Sequence, residues 1–154
     1  MGNLTLSGYL ATASTVSFSG TQTLASLADD EWTDPSDAID NSSNLYPIAD
    51  FELVLGSAAF TGADSAVHMY LIPSLDGTNY GDWTGNNTNT HQEHEPYYVG
   101  SFTTSGATAA QRLILRDVPL PSGLFKVGVR NRSGVALAAS GNTLKYRPHT
   151  IATA

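Results

Sequence analysis

Apolar side chains recur at every second position in one segment of this chain after another, and almost nowhere at helical spacing. Period two marks a strand buried on one face, because successive side chains leave a strand on opposite sides. In residues 124–130, Phe125, Val127 and Val129 point one way while Lys126, Gly128 and Arg130 point the other. Phe51, Leu53 and Leu55 alternate likewise with Glu52 and Val54. Residues 67–72 set Val67, Met69 and Leu71 against His68, Tyr70 and Ile72, and apolar character on both faces predicts a central strand. Further strands are predicted over 15–19, 23–28, 97–102, 112–117, 135–139 and 143–147. Leu24 and Leu27, three apart, leave a short helix over 23–31 as the alternative there.

Turn chemistry separates these runs. Pro119-Leu120-Pro121-Ser122-Gly123, Arg132-Ser133-Gly134 and Ser140-Gly141-Asn142 are loop signals, so the last three strands read as a meander. Eight or nine short strands without a substantial helix predict an all-β protein: an antiparallel β-sandwich, a jelly roll of about eight strands. The sandwich spans residues 15–147, with 1–14 a flexible N-terminal arm and 148–154 a C-terminal tail, both able to order on a partner. Two stretches break the rhythm, an acidic, turn-rich one over 29–44 and a long polar one over 77–95, and both are candidate contact surfaces.

The 154 residues suit one domain, and the hydrophobic share of 41% is enough for one core. The charged share of 14% is low, so Ser, Thr, Asn and Gly must keep the surface wet, as in many extracellular and virion β-proteins. A formal net charge of −7 with seven basic residues argues against nucleic acid, whose binding needs clustered Lys and Arg. Those cations all fall late, from Arg112 to Arg147, while the carboxylates fall mostly earlier. Either this split lets one end of a molecule meet the opposite end of a neighbour, or it reflects which strands face water. Cysteine is absent, which removes disulfides, thiolate nucleophiles and Cys-based zinc sites. No stretch approaches the roughly 20 apolar residues of a membrane helix, and the first residues lack the basic and apolar regions of a signal peptide. Leu6 stands where a myristoylation signal needs Ser or Thr.

Candidate chemistry is sparse. His91-Gln92-Glu93-His94-Glu95 places two imidazoles three apart, but a metal needs further convergent ligands, and a solvated loop is the competing reading. Asp29, Asp30, Glu31, Asp34, Asp37 and Asp40 offer oxygens of the kind calcium takes, yet their spacing is not that of an EF-hand; turns and caps explain them as well. With four His and no strained Gly-x-Ser-x-Gly elbow, no catalytic residue, metal ligand or cofactor site is assigned. Trp32 and Trp83 lie in or beside the irregular stretches, near Tyr80, Tyr97 and Tyr98. Such aromatics either anchor a protein or sugar surface or plug the sandwich. The candidate interaction surface is therefore Trp32, Asp34, Tyr80, Trp83, His91 and His94.

Longer strings carry a resemblance. Ala49-Asp50-Phe51-Glu52-Leu53-Val54-Leu55 and Tyr70-Leu71-Ile72-Pro73-Ser74-Leu75-Asp76-Gly77-Thr78-Asn79-Tyr80 resemble a family of small virion structural proteins of tailed phages. So do the runs from Ala110 through Val118 to Lys126, from Arg130 to Val135 and from Ala139 to Leu144. The resemblance spans about 21–147 and is strongest to head decoration or cement proteins. It implies a β-rich, non-enzymatic capsid-surface protein, often trimeric, that binds the major capsid protein, with neither nucleic acid nor membrane as partner. A glycan-binding or adaptor module of a phage tail is the alternative.

Overall fold

The structure, a computed structural model, describes residues 4–5, 11–60, 65–83, 97–150 and 152–153. Among these described residues ten strands follow in order: β1 (Leu4–Thr5), β2 (Ser14–Thr15), β3 (Ile39–Asp40), β4 (Ile48–Leu55), β5 (Ala66–Pro73), β6 (Tyr98–Thr103), β7 (Gln111–Pro119), β8 (Leu124–Arg132), β9 (Thr143–His149) and β10 (Ala152–Thr153). Two four-stranded antiparallel sheets form, one ordered β2-β9-β4-β7 and the other β3-β8-β5-β6. Among these eight strands, only β5 and β6 are consecutive and also paired; every other connection crosses between sheets. That winding is the jelly roll the alternation predicted.

The core is the set of inward positions read from the sequence. Phe51, Leu53 and Leu55 of β4 meet Val67 and Met69 of β5, Phe125 and Val127 of β8 and Leu144 of β9, all wholly buried. Each such side chain contributes roughly 1.5–3 kcal/mol by leaving water, which makes this interlayer the main favourable term.

Three predicted details are corrected. Residues 23–28 form neither strand nor helix: the segment turns through Ser26 at φ 54 and lowers Leu24 and Leu27 into the core as a plug. Residues 135–139 are also irregular, with Leu137 buried and its N–H donating to Leu27 O at 2.9 Å. The final strands are no meander, because β8 and β9 belong to different sheets and 133–142 carries the chain over the edge between them. In both irregular segments a few buried leucines imitate strand alternation while the backbone closes the side of the sandwich. Near the two ends of the chain β1 pairs with β10, Leu4 opposite Thr153 and Thr5 opposite Ala152.

The outer edge of β8 shows how an irregular segment satisfies a regular one. Residues 30–40 run antiparallel to it, ending as β3. Thr33 and Ser36 donate their N–H groups to Val129 O and Val127 O, both at 2.8 Å. In return their hydroxyl oxygens, not their carbonyls, accept the N–H of Val129 (3.0 Å) and Val127 (2.8 Å). At the end of β8, wholly buried Asn131 donates through Nδ2 to Leu27 O, Ala28 O and Val135 O at 2.7–3.1 Å and accepts from Ser133 N. One amide thus ties both irregular segments to the sheet. Asn131→Ala removes three donated bonds and deprives the buried Ser133 N–H of its acceptor, so a loss of about 3 kcal/mol is expected, read as a lower urea midpoint at unchanged slope.

Candidate functional site

The alternation that sends Phe125, Val127 and Val129 inward sends Lys126, Gly128 and Arg130 to the outer face of the β3-β8-β5-β6 sheet, beside His68, Tyr70 and Ile72 of β5. Tyr70 and Ile72 are nevertheless buried. A second layer covers them, and the turn after β5 puts it there. The Asp76 carboxylate accepts the N–H groups of Asn79 (2.7 Å) and Thr78 (2.8 Å) and the Asn79 side-chain amide (2.7 Å). These bonds, that from the Asn79 backbone foremost, hold its pKa far below the ordinary carboxylate range. Gly77 takes the positive φ of 76° that the reversal requires, and Ser74 Oγ donates to Asn79 O at 2.6 Å. The chain then returns over the sheet, Ser74 bridging to Tyr80.

Tyr80 lands beneath the Lys126 ammonium, 4.7 Å from the ring centre, and Trp83 packs against Gly128, where a Cβ would come within 2.2 Å of its ring. Trp83 Nε1 donates to Thr33 O at 2.9 Å. Its ring meets Trp32 edge-on at 5.1 Å and Tyr70 at 5.4 Å; Tyr70 in turn meets Trp32 at 5.0 Å and Tyr98 at 5.6 Å. The Arg130 guanidinium, almost fully buried, stacks 4.8 Å over Trp32 and pairs with Asp30 at 2.7 Å. Edge and tilted contacts of this kind add about 0.5–1.5 kcal/mol each beyond burial. The cluster is a second, smaller core outside the sandwich, with Tyr98 (44% exposed) and half-buried His68 on its open rim.

Of the predicted surface residues, Trp32, Tyr80 and Trp83 come together on this one sheet face. Trp32 is 5% exposed and acts as packing, while Tyr80 and Trp83 stay partly open. Asp34 turns away to accept Gln22 N–H at 2.9 Å. His91 and His94 lie outside the described residues. The acidic run disperses over separate partners: Asp29 serves Gly134 N–H, Asp30 serves Arg130 and Arg132, and Asp40 serves Ser42 N–H. These are the turns and caps the sequence offered as one reading.

A second group went unread in the sequence. On the outer face of the other sheet, β7 carries a bulge opposite Asp50, with Asp117 at φ 54. The bulge brings Asp117 N–H to Asp50 Oδ1 at 2.9 Å and places His149 Nε2 at 3.4 Å from Asp50 and 3.5 Å from Asp117. One imidazole and two carboxylates within 4.8 Å are donors of a kind divalent metals accept, and Arg116 stands 3.7 Å from Asp50 as a competing cation. Residues so far apart in the chain left only one sequence signal, the scarcity of His. Alongside is an open hollow of about 260 Å3 whose rim includes Glu52, Ile114, Lys145 and Arg147.

Two outcomes follow for the aromatic layer. Gly128→Ala displaces Trp83, and since both tryptophans of the chain sit in this cluster, its emission should shift to the red with a stability loss of about 1–3 kcal/mol. His68 has its pKa lowered by burial first, then by Arg132 and Arg130. The unfolded chain therefore takes up the proton first, and stability present above about pH 6.5 is lost as the pH falls below it. His68→Gln should lose less stability than the parent between pH 7.5 and 5.5 in urea titrations, these being roughly one unit on either side of the free histidine value. Comparison of the chain with protein-family models, with curated proteins and with solved structures finds no match.

Proposed function

We propose that this chain is a non-catalytic virion protein of a tailed phage, a capsid decoration or cement protein that binds the major capsid protein on the head surface and stabilises the shell. It works as a homo-oligomer, a trimer suiting the local three-fold positions of an icosahedral lattice. The observation that carries the reading is a jelly roll whose interior is filled by side chains, leaving sheet faces and edges as the working surface. Jelly rolls recur in viral capsid and lectin domains, and because a fold alone does not fix function, the phage assignment rests on the resemblance of the strings around Phe51, Tyr70 and Val118.

The rim formed by Tyr98, Tyr80 and His68 favours one second reading, a glycan-binding or adaptor module of the tail, since exposed aromatics stack on sugar rings. Adding the purified chain to heads that lack it separates the two. Cosedimentation with heads and a higher rupture temperature, of the order expected from about 2.7 kcal/mol at a hundredfold excess over Kd, is the expected result. No head binding, with the chain found in purified tails, overturns the capsid reading in favour of the second.

A further inference from the structure

The charge of this molecule is sorted by edge. β6 and β7, each at the edge of its own sheet, run side by side. The opposite edge is closed by 17–22 and 34–37, where Asp37 N–H donates to Ser17 O and Asp34 N–H to Gln22 O, both at 2.8 Å. The first edge presents Arg112 and Arg116, whose side chains are 67% and 70% exposed, with Ile114 between them at 58% and Tyr98 beside them on β6. The second presents the carboxylates of 29–40, a segment that carries no Lys or Arg, and its nearest cations are Arg130 and Arg132 of β8, both at Asp30.

Each edge keeps charge beyond its internal pairs. Three acids, Asp50 and Glu52 of β4 and exposed Asp117 of β7, stand among four cations: Arg112 at 2.8 Å from Glu52, Arg116 at 3.7 Å from Asp50, and Lys145 and Arg147 directly across the ladder from the two β4 acids. At the other edge Asp30 is matched by Arg130 and Arg132, whereas Asp37 and Asp40 are exposed and bonded to hydroxyl or backbone groups alone among the described partners. The turn after β3 also exposes Leu45, 59% open to solvent.

We infer that copies of this chain join head to tail, the β6–β7 edge of one against the acidic 29–40 edge of the next. Arg112 and Arg116 face Asp37 and Asp40, and Ile114 meets Leu45 at the apolar centre. Two different patches at opposite edges make the contact heterologous, so a closing rotation yields a ring. Opposite charge steers the encounter and fixes the register. The inference deepens the homo-oligomer part of the reading above by naming its surface.

The test is the mass of the free full-length chain by light scattering. An oligomer is expected at low ionic strength, weakened at least tenfold in about 1 M salt, where screening acts within about 3 Å. R112E/R116E and D37K/D40K, each folded by circular dichroism, should both be monomeric. Mixing the two restores association, because each supplies the charge the other lacks, and the fourfold variant reassembles by itself. A parent chain that is monomeric in low salt, reversals without effect, or doubles that do not associate on mixing would each overturn the inference. Head binding is read separately by cosedimentation, so a chain that binds heads as a monomer sinks this inference and leaves the capsid reading standing.

Discussion

A strand packed on both faces and paired along both edges has no water for its backbone, and β8 is that strand. Its inner face is core, its outer face lies under Trp83 and Trp32, one edge pairs with β5, and the other is closed by an irregular segment. Every N–H must then find a protein acceptor, since an orphaned one costs about 1–3 kcal/mol. Pairing a segment that contains Pro35 by carbonyls alone is awkward, and the Thr33 and Ser36 hydroxyls replace the missing acceptors. The same constraint explains Gly128, the one outward position of β8 with no side chain, where the covering indole approaches the backbone. It also explains Asn131, whose buried amide bonds to both loops at the end of the strand and accepts the Ser133 N–H.

How much of this could be read in advance depended on whether the signal was local. Phe51-Glu52-Leu53-Val54-Leu55 alternates because one face is buried, and that local pattern sufficed for strand, face and fold class. Residues 67–72 went further: apolar positions on both faces predicted a central strand, and β5 lies between β8 and β6. Alternation says nothing about the layer to which the next strand returns, so the supposed meander became two crossings. Leu24, Leu27 and Leu137 resembled strand residues because burial, not extension, is what an apolar position reports.

The candidate site was legible in part for the same reason. Trp32, Tyr80 and Trp83 stood out by residue type, but the physical cause of their meeting is Asp76, an exposed carboxylate that organises a turn and so folds aromatics onto a sheet. Nothing in composition distinguishes it from thirteen other acids. The Asp50, Asp117 and His149 group was harder still, since a bulge in β7 creates the proximity and its signal is a register shift between strands. Trp32 shows the converse. Its type suggested contact, yet burial under Arg130 and against Tyr70 makes it part of what holds the layer in place.

Charge placement follows from topology. All seven cations lie on β7, β8 and β9, so strands from both sheets carry them outward, while the first 111 residues supply carboxylates alone. An edge strand of nine residues such as β7 offers unpaired backbone to any other strand, and continued pairing of that kind leads to aggregates. Its bulge at Arg116 and Asp117 interrupts the pairing edge, and Arg112 and Arg116 add charges that a like edge repels. The same features that reject a second β7 accept an acidic segment, because attraction here runs through side chains and not through the ladder. An edge so built can be sociable towards one surface and protected against its own kind, which is what repeated assembly from identical copies demands.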